Sequence, residues 1–239
     1  MRPRAIFFDM DDTILSFDHG LDLDACWMAA CVTHLAGMEA GMIEQAVMTI
    51  KRQAKEYWSD AERHRTGRLD LPKARKEIIE AALHELKYPN LKCAARIATD
   101  YGAARDLLVT LFPGAVETIQ QIKTMGIPVA LITNGASLPQ REKINKFALG
   151  SLFEHIFIEE EFGIGKPEPA IYQHVMDLLG TAPEETWMVG DNYEWEVAAP
   201  QKLGMKGIWV DHKGVHGTQT LPVPPYRSIR ALPELLPLF

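Results

Sequence analysis

The chain has 239 residues, with 25 Lys and Arg against 32 Asp and Glu, a formal net charge of −7 and 47% hydrophobic residues. That length and apolar content suit one large domain or a core carrying an insert, and the acidic balance leaves no basic footprint for nucleic acid. No apolar run reaches the length of a membrane span and no secretory leader precedes the first strand, so the sequence predicts a cytoplasmic protein with no membrane attachment.

The first predicted element is an apolar, β-favouring strand over Arg4 to Phe8. A buried parallel strand delivers the residues just past its carboxyl end into the ligand crevice of an open α/β sheet. The run Phe7-Phe8-Asp9-Met10-Asp11-Asp12-Thr13 therefore sets the carboxylates of Asp9 and Asp11 in that crevice. A carboxylate can attack a phosphoryl group and carry it as an aspartyl phosphate when a divalent cation and fixed positive groups neutralise the crowded charge. Magnesium suits such a seat, because it prefers hard oxygen ligands and rests on one or two carboxylates plus substrate phosphate. Taken alone, Asp-x-Asp reads equally well as an acidic turn whose side chains bond local N–H groups.

Between residues 17 and 109 convincing strands are missing and the apolar spacing is helical. Helices are predicted over Asp22–Gly37, Glu39–Trp58, Leu71–Leu86 and Lys92–Leu108. The run Arg63-His64-Arg65-Thr66-Gly67-Arg68 falls between two of them and reads as a basic glycine turn. Arginine forks suit a carboxylate or second phosphate on a substrate, which makes Arg65 and Arg68 candidate substrate contacts. The competing reading is a solvated loop paired with Asp60, Glu62 and Asp70. Tyr57 and Trp58 either stack on a ligand ring or fill a helix junction. Cys26, Cys31 and Cys93 are odd in number and match no metal spacing, so they are expected as reduced core thiols.

After Phe112-Pro113-Gly114 a helix is predicted over Ala115–Met125, and strands and helices then alternate as a parallel sheet requires. Ile127 to Gly135 is an apolar strand ending in Thr133, Asn134 and Gly135, where a hydroxyl and backbone amides can hold phosphate oxygens. Gly163-Ile164-Gly165-Lys166-Pro167-Glu168-Pro169 sets one lysine in a rigid loop that opens a helix from Ile171 to Leu179. A lysine there can neutralise a phosphate against Asp9. Thr186 to Asn192 is another apolar strand with Asp191 at its end, a natural second carboxylate for a cation, and Glu194 and Glu196 just beyond. Lys206–Val210 reads as a further strand, Leu221–Pro225 as a connector and Leu232–Leu236 as a final short helix.

The order Asp-x-Asp-x-Thr, Thr, Lys, then Gly-Asp with a following acid resembles the haloacid dehalogenase (HAD) superfamily, over the whole chain. The resemblance implies an α/β fold in which a Rossmann-like parallel sheet core, residues 1–16 and 110–239, carries an inserted all-helical cap over 17–109. It implies Asp9 as nucleophile, Asp11 as general acid and base, and Thr133 and Lys166 as phosphate binders beside Asn134 and Gly135. Magnesium would rest on Asp9, Asp191 and the backbone carbonyl of Asp11. Where many members carry a second Asp after the Gly-Asp pair, this chain has Glu196, one methylene longer. Glu196 then acts through a water or through Lys166, with Glu194 a competitor for the role.

Asp11 also separates activities within the superfamily. A phosphatase needs an acid for the leaving alkoxide and then a base for the attacking water, and one carboxylate can do both. Dehalogenases of this fold lack it, since halide leaves without a proton, and phosphonate hydrolysis requires a cap lysine that forms a Schiff base. The predicted function is a magnesium-dependent phosphatase acting on a small phosphorylated metabolite, as a monomer or homodimer. A phosphomutase would use the same residues and return the phosphoryl group to its substrate, while a non-catalytic phosphate-binding protein would keep the pocket without turnover.

Overall fold

A computed structural model of the chain describes residues 2–35, 37–214 and 221–239. The chain forms two compact units, residues 1–19 with 110–239, and residues 20–109. The first begins with β1 (Ala5–Phe8), four wholly buried residues. A tight turn follows at Asp12, whose backbone is left-handed (φ 54). That strained conformation is held because the Asp12 carboxylate accepts the N–H groups of Phe17, Asp18 and His19. β2 (Leu15–Ser16) then pairs antiparallel with β3 (Thr110–Leu111).

The unit spanning 20–109 is helical: α1 (Leu23–His34), α2 (Ala40–Ser59), α3 (Ala61–Gly67), α4 (Leu71–Glu85) and α5 (Ala94–Leu108). Three of these helices start where an acidic side chain takes up an orphan N–H: Asp22 from Ala25, Asp60 from Arg63 and Asp70 from Lys73. Their inward faces share one apolar core that includes Cys31, Ile50, Ile79, Leu83 and Ile97. The basic run 63–68 is not the expected loop. Residues 63–67 lie in α3, with Arg68 as its C-cap, because Asp60 caps the helix start and Gly67 lets the helix lie so close to Tyr57 that a Cβ there would meet Tyr57 Cε1 at 2.9 Å. Cys26, Cys31 and Cys93 are free, buried thiols.

The core unit continues with α6 (Ala115–Thr124), β4 (Val129–Thr133), α7 (Ser137–Lys146), β5 (His155–Ile158), α8 (Glu159–Phe162) and α9 (Pro169–Leu179). It closes with β6 (Thr186–Gly190), α10 (Ala199–Lys202), β7 (Lys206–Val210) and β8 (Arg227–Ile229). Six of the strands make one sheet in the order β5-β4-β1-β6-β7-β8, every pair parallel. The α/β class read from the sequence is therefore the observed one. β1, β4 and β6 are buried throughout, the signature of a parallel sheet covered on both faces. One such face packs Phe7, Ala130, Ile132, Tyr172 and Met188 together.

Strand order reverses at β1: β4 and β5 lie on one side, β6 to β8 on the other. Ligands of open α/β sheets bind outside the carboxyl ends of strands at such a switch point. Phe8 sits level with Leu131 and Val189, so the segments after β1, β4 and β6 open on one edge. α7, β5 and β8 had no counterpart in the sequence reading, and the final turn is a 3-10 helix over Leu232–Leu238, inside which Pro237 lacks the N–H that α-helical bonding would need. None of the described helices is long and apolar enough to cross a membrane.

Candidate active site

β-pairing continues one residue past β1, where the Asp9 N–H donates to the Val189 carbonyl at 2.9 Å. This fixes Asp9 at the carboxyl edge of the central strand. Lys166, with no exposed surface, donates to Asp9 Oδ1 at 2.5 Å and to Glu196 Oε1 at 2.7 Å. A buried ammonium is tolerated only when paired and hydrogen-bonded. Burial alone would lower the Lys166 pKa, but the pull of Asp9 and Glu196 outweighs it and holds the amine charged. Burial raises the Asp9 pKa against the opposing pull of Lys166. Glu196 is pushed up to about 7 by burial, again against Lys166. Asp191, just past β6, is pushed up to about 9 by burial and by the charges of Asp9, Glu196 and Asp12.

Two carboxylates, Asp9 and Glu196, thus share one ammonium with Asp191 within electrostatic reach, and Glu196 Oε2 is buried with no hydrogen-bond partner. Among the described residues no three His, Cys, Asp or Glu side chains are grouped as a metal cage. Acid side chains set against a single ammonium, without a cage, suit a divalent cation of the magnesium kind, which keeps waters and rests on one or two carboxylates. Glu194, the competitor of Glu196, lies at the surface within 3.3 Å of Lys202.

The lysine loop is bolted to the end of β4. The Lys166 N–H donates to Asn134 Oδ1 at 2.8 Å, and Asn134 Nδ2 donates to the Lys166 carbonyl at 2.7 Å. Gly165 permits the approach, since a Cβ there would meet Glu159 Cδ at 2.6 Å and Asn134 Oδ1 at 2.7 Å. Buried Glu159 accepts the Gly135 N–H at 2.9 Å. The Asn134 side chain and the Gly135 N–H, both expected to face substrate, are therefore engaged with protein groups. The Thr133 hydroxyl is buried beside them and accepts from Gln140 Nε2 at 2.6 Å.

Asp11 accepts from Lys143 Nζ at 2.6 and 2.5 Å and from Gln140 Nε2 at 3.1 Å. Gln140, Lys143 and Glu159 were missed in the sequence. The available signal was the three-residue spacing of Gln140 and Lys143 just after the Thr133-Asn134-Gly135 strand end, but a mostly polar helix reads as a solvated one. Arg65 and Arg68 lie in the helical unit: Arg65 is exposed and paired with Glu62 at 2.7 Å, and Arg68 contacts His64 Nδ1 at 3.3 Å. A cavity of about 320 Å³ lined by Arg2, Arg4, Met125 and Leu179 lies at the amino-terminal ends of β1 and β4, the edge opposite this cluster.

A parallel sheet with an acid at the end of its central strand, set against a buried lysine and a second acid, defines a doubly wound α/β protein with a polar site at its strand-order switch point. The family model for haloacid dehalogenase-like hydrolases matches residues 3–204, and the chain belongs to that family. It is 28% identical over 246 residues to a glyceraldehyde 3-phosphate phosphatase of Pyrococcus furiosus, covering 98% of this chain and 92% of that one. It is likewise 28% identical over 240 residues to the N-acylneuraminate-9-phosphatase of Homo sapiens, covering 98% and 94%. The magnesium-bound HAD-hydrolase YfnB of Bacillus subtilis superposes with a TM-score of 0.75 at 23% identity, over 100% of this chain and 99% of that one.

Proposed function

We propose that the protein is a magnesium-dependent phosphatase that hydrolyses a small phosphate monoester through an aspartyl phosphate on Asp9. The observation that carries this reading is the buried Asp9–Lys166–Glu196 cluster at the carboxyl edge of β1. Relatives covering nearly the whole chain, named for glyceraldehyde 3-phosphate and N-acylneuraminate 9-phosphate, support a small phosphorylated metabolite as substrate. The free thiols suit a reducing, cytoplasmic compartment.

In the first half-reaction an Asp9 oxygen attacks phosphorus and the phosphorus–oxygen bond to the alcohol breaks. Asp11 gives a proton to the departing alkoxide. In the second, Asp11 takes a proton from the water that attacks the aspartyl phosphate, and the bond between Asp9 oxygen and phosphorus breaks to release phosphate. Lys166 and Thr133 hold the equatorial oxygens, whose charge is spread in the transition state. Glu196 keeps the ammonium of Lys166 in place. Asp9, Asp191 and the backbone carbonyl of Asp11 would hold magnesium, which when bound neutralises charge on the phosphoryl group. The helical unit acts as a cap that limits water and selects the leaving group, with Arg65 and Arg68 as its candidate contacts.

The test is a phosphate-release screen over phosphorylated metabolites with magnesium, repeated with EDTA. Release from at least one substrate, lost on chelation and restored by excess magnesium, is expected. Asp9→Asn should lower turnover by roughly 10³-fold or more. Activity indifferent to EDTA contradicts the metal, equal turnover by the variant contradicts the nucleophile, and an isomerised product without free phosphate identifies a mutase.

A further inference from the structure

We propose that Gln140 and Lys143 on α7 are positioning residues for Asp11, an inference that rests on the phosphatase reading and its assignment of Asp11 as proton carrier. Both project from one helical face, three residues apart. Lys143 Nζ reaches both carboxylate oxygens, at 2.6 and 2.5 Å, and sits 4.1 Å from the centroid of the Phe17 ring. Gln140 Nε2 shares its two N–H groups among three acceptors, Thr133 Oγ1 at 2.6 Å, the Asn134 carbonyl at 2.7 Å and Asp11 Oδ2 at 3.1 Å. One amide therefore joins the carboxylate proposed to move protons to the strand end proposed to bind phosphate.

Two residues of α7 depart from what solvation alone would give. Leu138 is 70% exposed, while the Lys143 side chain is 12% exposed and that of its partner Asp11 is 23%. A lysine whose only task was solubility would face water, as surface ion pairs contribute little. Here its charge is turned inward onto a group outside its own helix. The mechanical consequence concerns aim. A proton donor must lie within about 2.6–3.2 Å of the leaving oxygen, and an Asp side chain without partners samples three χ1 wells. Contacts at both oxygens restrict Asp11 to one of them, and Gln140 sets that orientation relative to Thr133.

The experiment compares kcat/KM for two substrates: the best alkyl phosphate from the metabolite screen and p-nitrophenyl phosphate, whose leaving group departs without a proton. Asp11→Asn, Lys143→Met, Gln140→Leu and Lys143→Arg are measured beside the wild type, each checked for an unchanged melting temperature. Lys143→Met should lower kcat/KM for the alkyl ester about 10- to 100-fold, within the range of a general acid's contribution, and shift the ratio between substrates at least about tenfold, in the same direction as Asp11→Asn. Gln140→Leu should shift it the same way by a smaller factor, and Lys143→Arg should recover most of the ratio. Equal losses on both substrates, or an unmoved ratio while Asp11→Asn shifts it, overturn the positioning role and leave the phosphatase reading intact. A wild type inactive on both substrates overturns both. If Lys143→Met fails to fold, Lys143→Gln is read by the same ratio.

Discussion

Lys166 has no exposed surface and touches two carboxylates from distant parts of the chain. Removing one partner of a buried ion cluster leaves the others uncompensated, at a cost of about 3–5 kcal/mol. Lys166→Met should lose stability in that range, read as a shift of the urea midpoint at constant slope. Glu196→Gln keeps the volume and leaves the Lys166–Asp9 pair, so it should cost less stability while lowering turnover about 10-fold or more through a displaced ammonium. A Lys166→Met variant as stable as the wild type would mean that the cluster is not dry. The same residue explains why Glu196 tolerates its extra methylene: its reach ends on the lysine at 2.7 Å.

That reach depends on an unusual element. Residues Tyr193–Ala198 form a π-helix, a winding found mostly in single turns at functional sites, and it presses on the sheet where two glycines leave room. A Cβ on Gly190 would meet Glu196 Cγ at 2.1 Å and Asp9 Cβ at 3.0 Å, and one on Gly207 would meet Val197 Cα at 2.6 Å and the Glu196 carbonyl at 2.8 Å. Gly207→Ala collides with backbone, which cannot swing aside as a side chain can. It should destabilise by about 1–3 kcal/mol, the range of overpacking, and displace Glu196. Calorimetry and phosphate release on the same sample check it: a melting temperature and turnover both equal to wild type would show that the π-helix slides freely over β7.

Across the molecule, the two units build separate cores, and all three cysteines of the sequence belong to the helical one. Burial, helped by neighbouring Cys93, pushes the Cys31 thiol up to about 12, and burial also raises Cys26 and Cys93. Since the thiolate is the reactive species, a disulfide reagent at pH 8 should titrate these thiols slowly in the native protein and rapidly in urea. Rapid reaction of the native protein would show that the helical unit opens on its own, because exchange then reports local rather than global unfolding.

The sequence by itself determined the buried strands and what stands at their ends, because both are local: an apolar β-favouring run, the acids, threonine or glycine that stop it, and the lysine between glycines and prolines. It also determined the helical character of the insert, through spacing that repeats every turn. Only the tertiary structure decided which polar groups meet. Lys166 and Asp9 are 157 residues apart, and Lys143 and Asp11 are 132. The choice of Glu196 over Glu194 turns on which side of one π-helix faces the sheet, and the inward turn of Gln140 and Lys143 on which face of α7 covers the Asp11 loop. Charge on a helix looks the same in sequence whether it faces water or a buried carboxylate, and only packing against the sheet distinguishes the two.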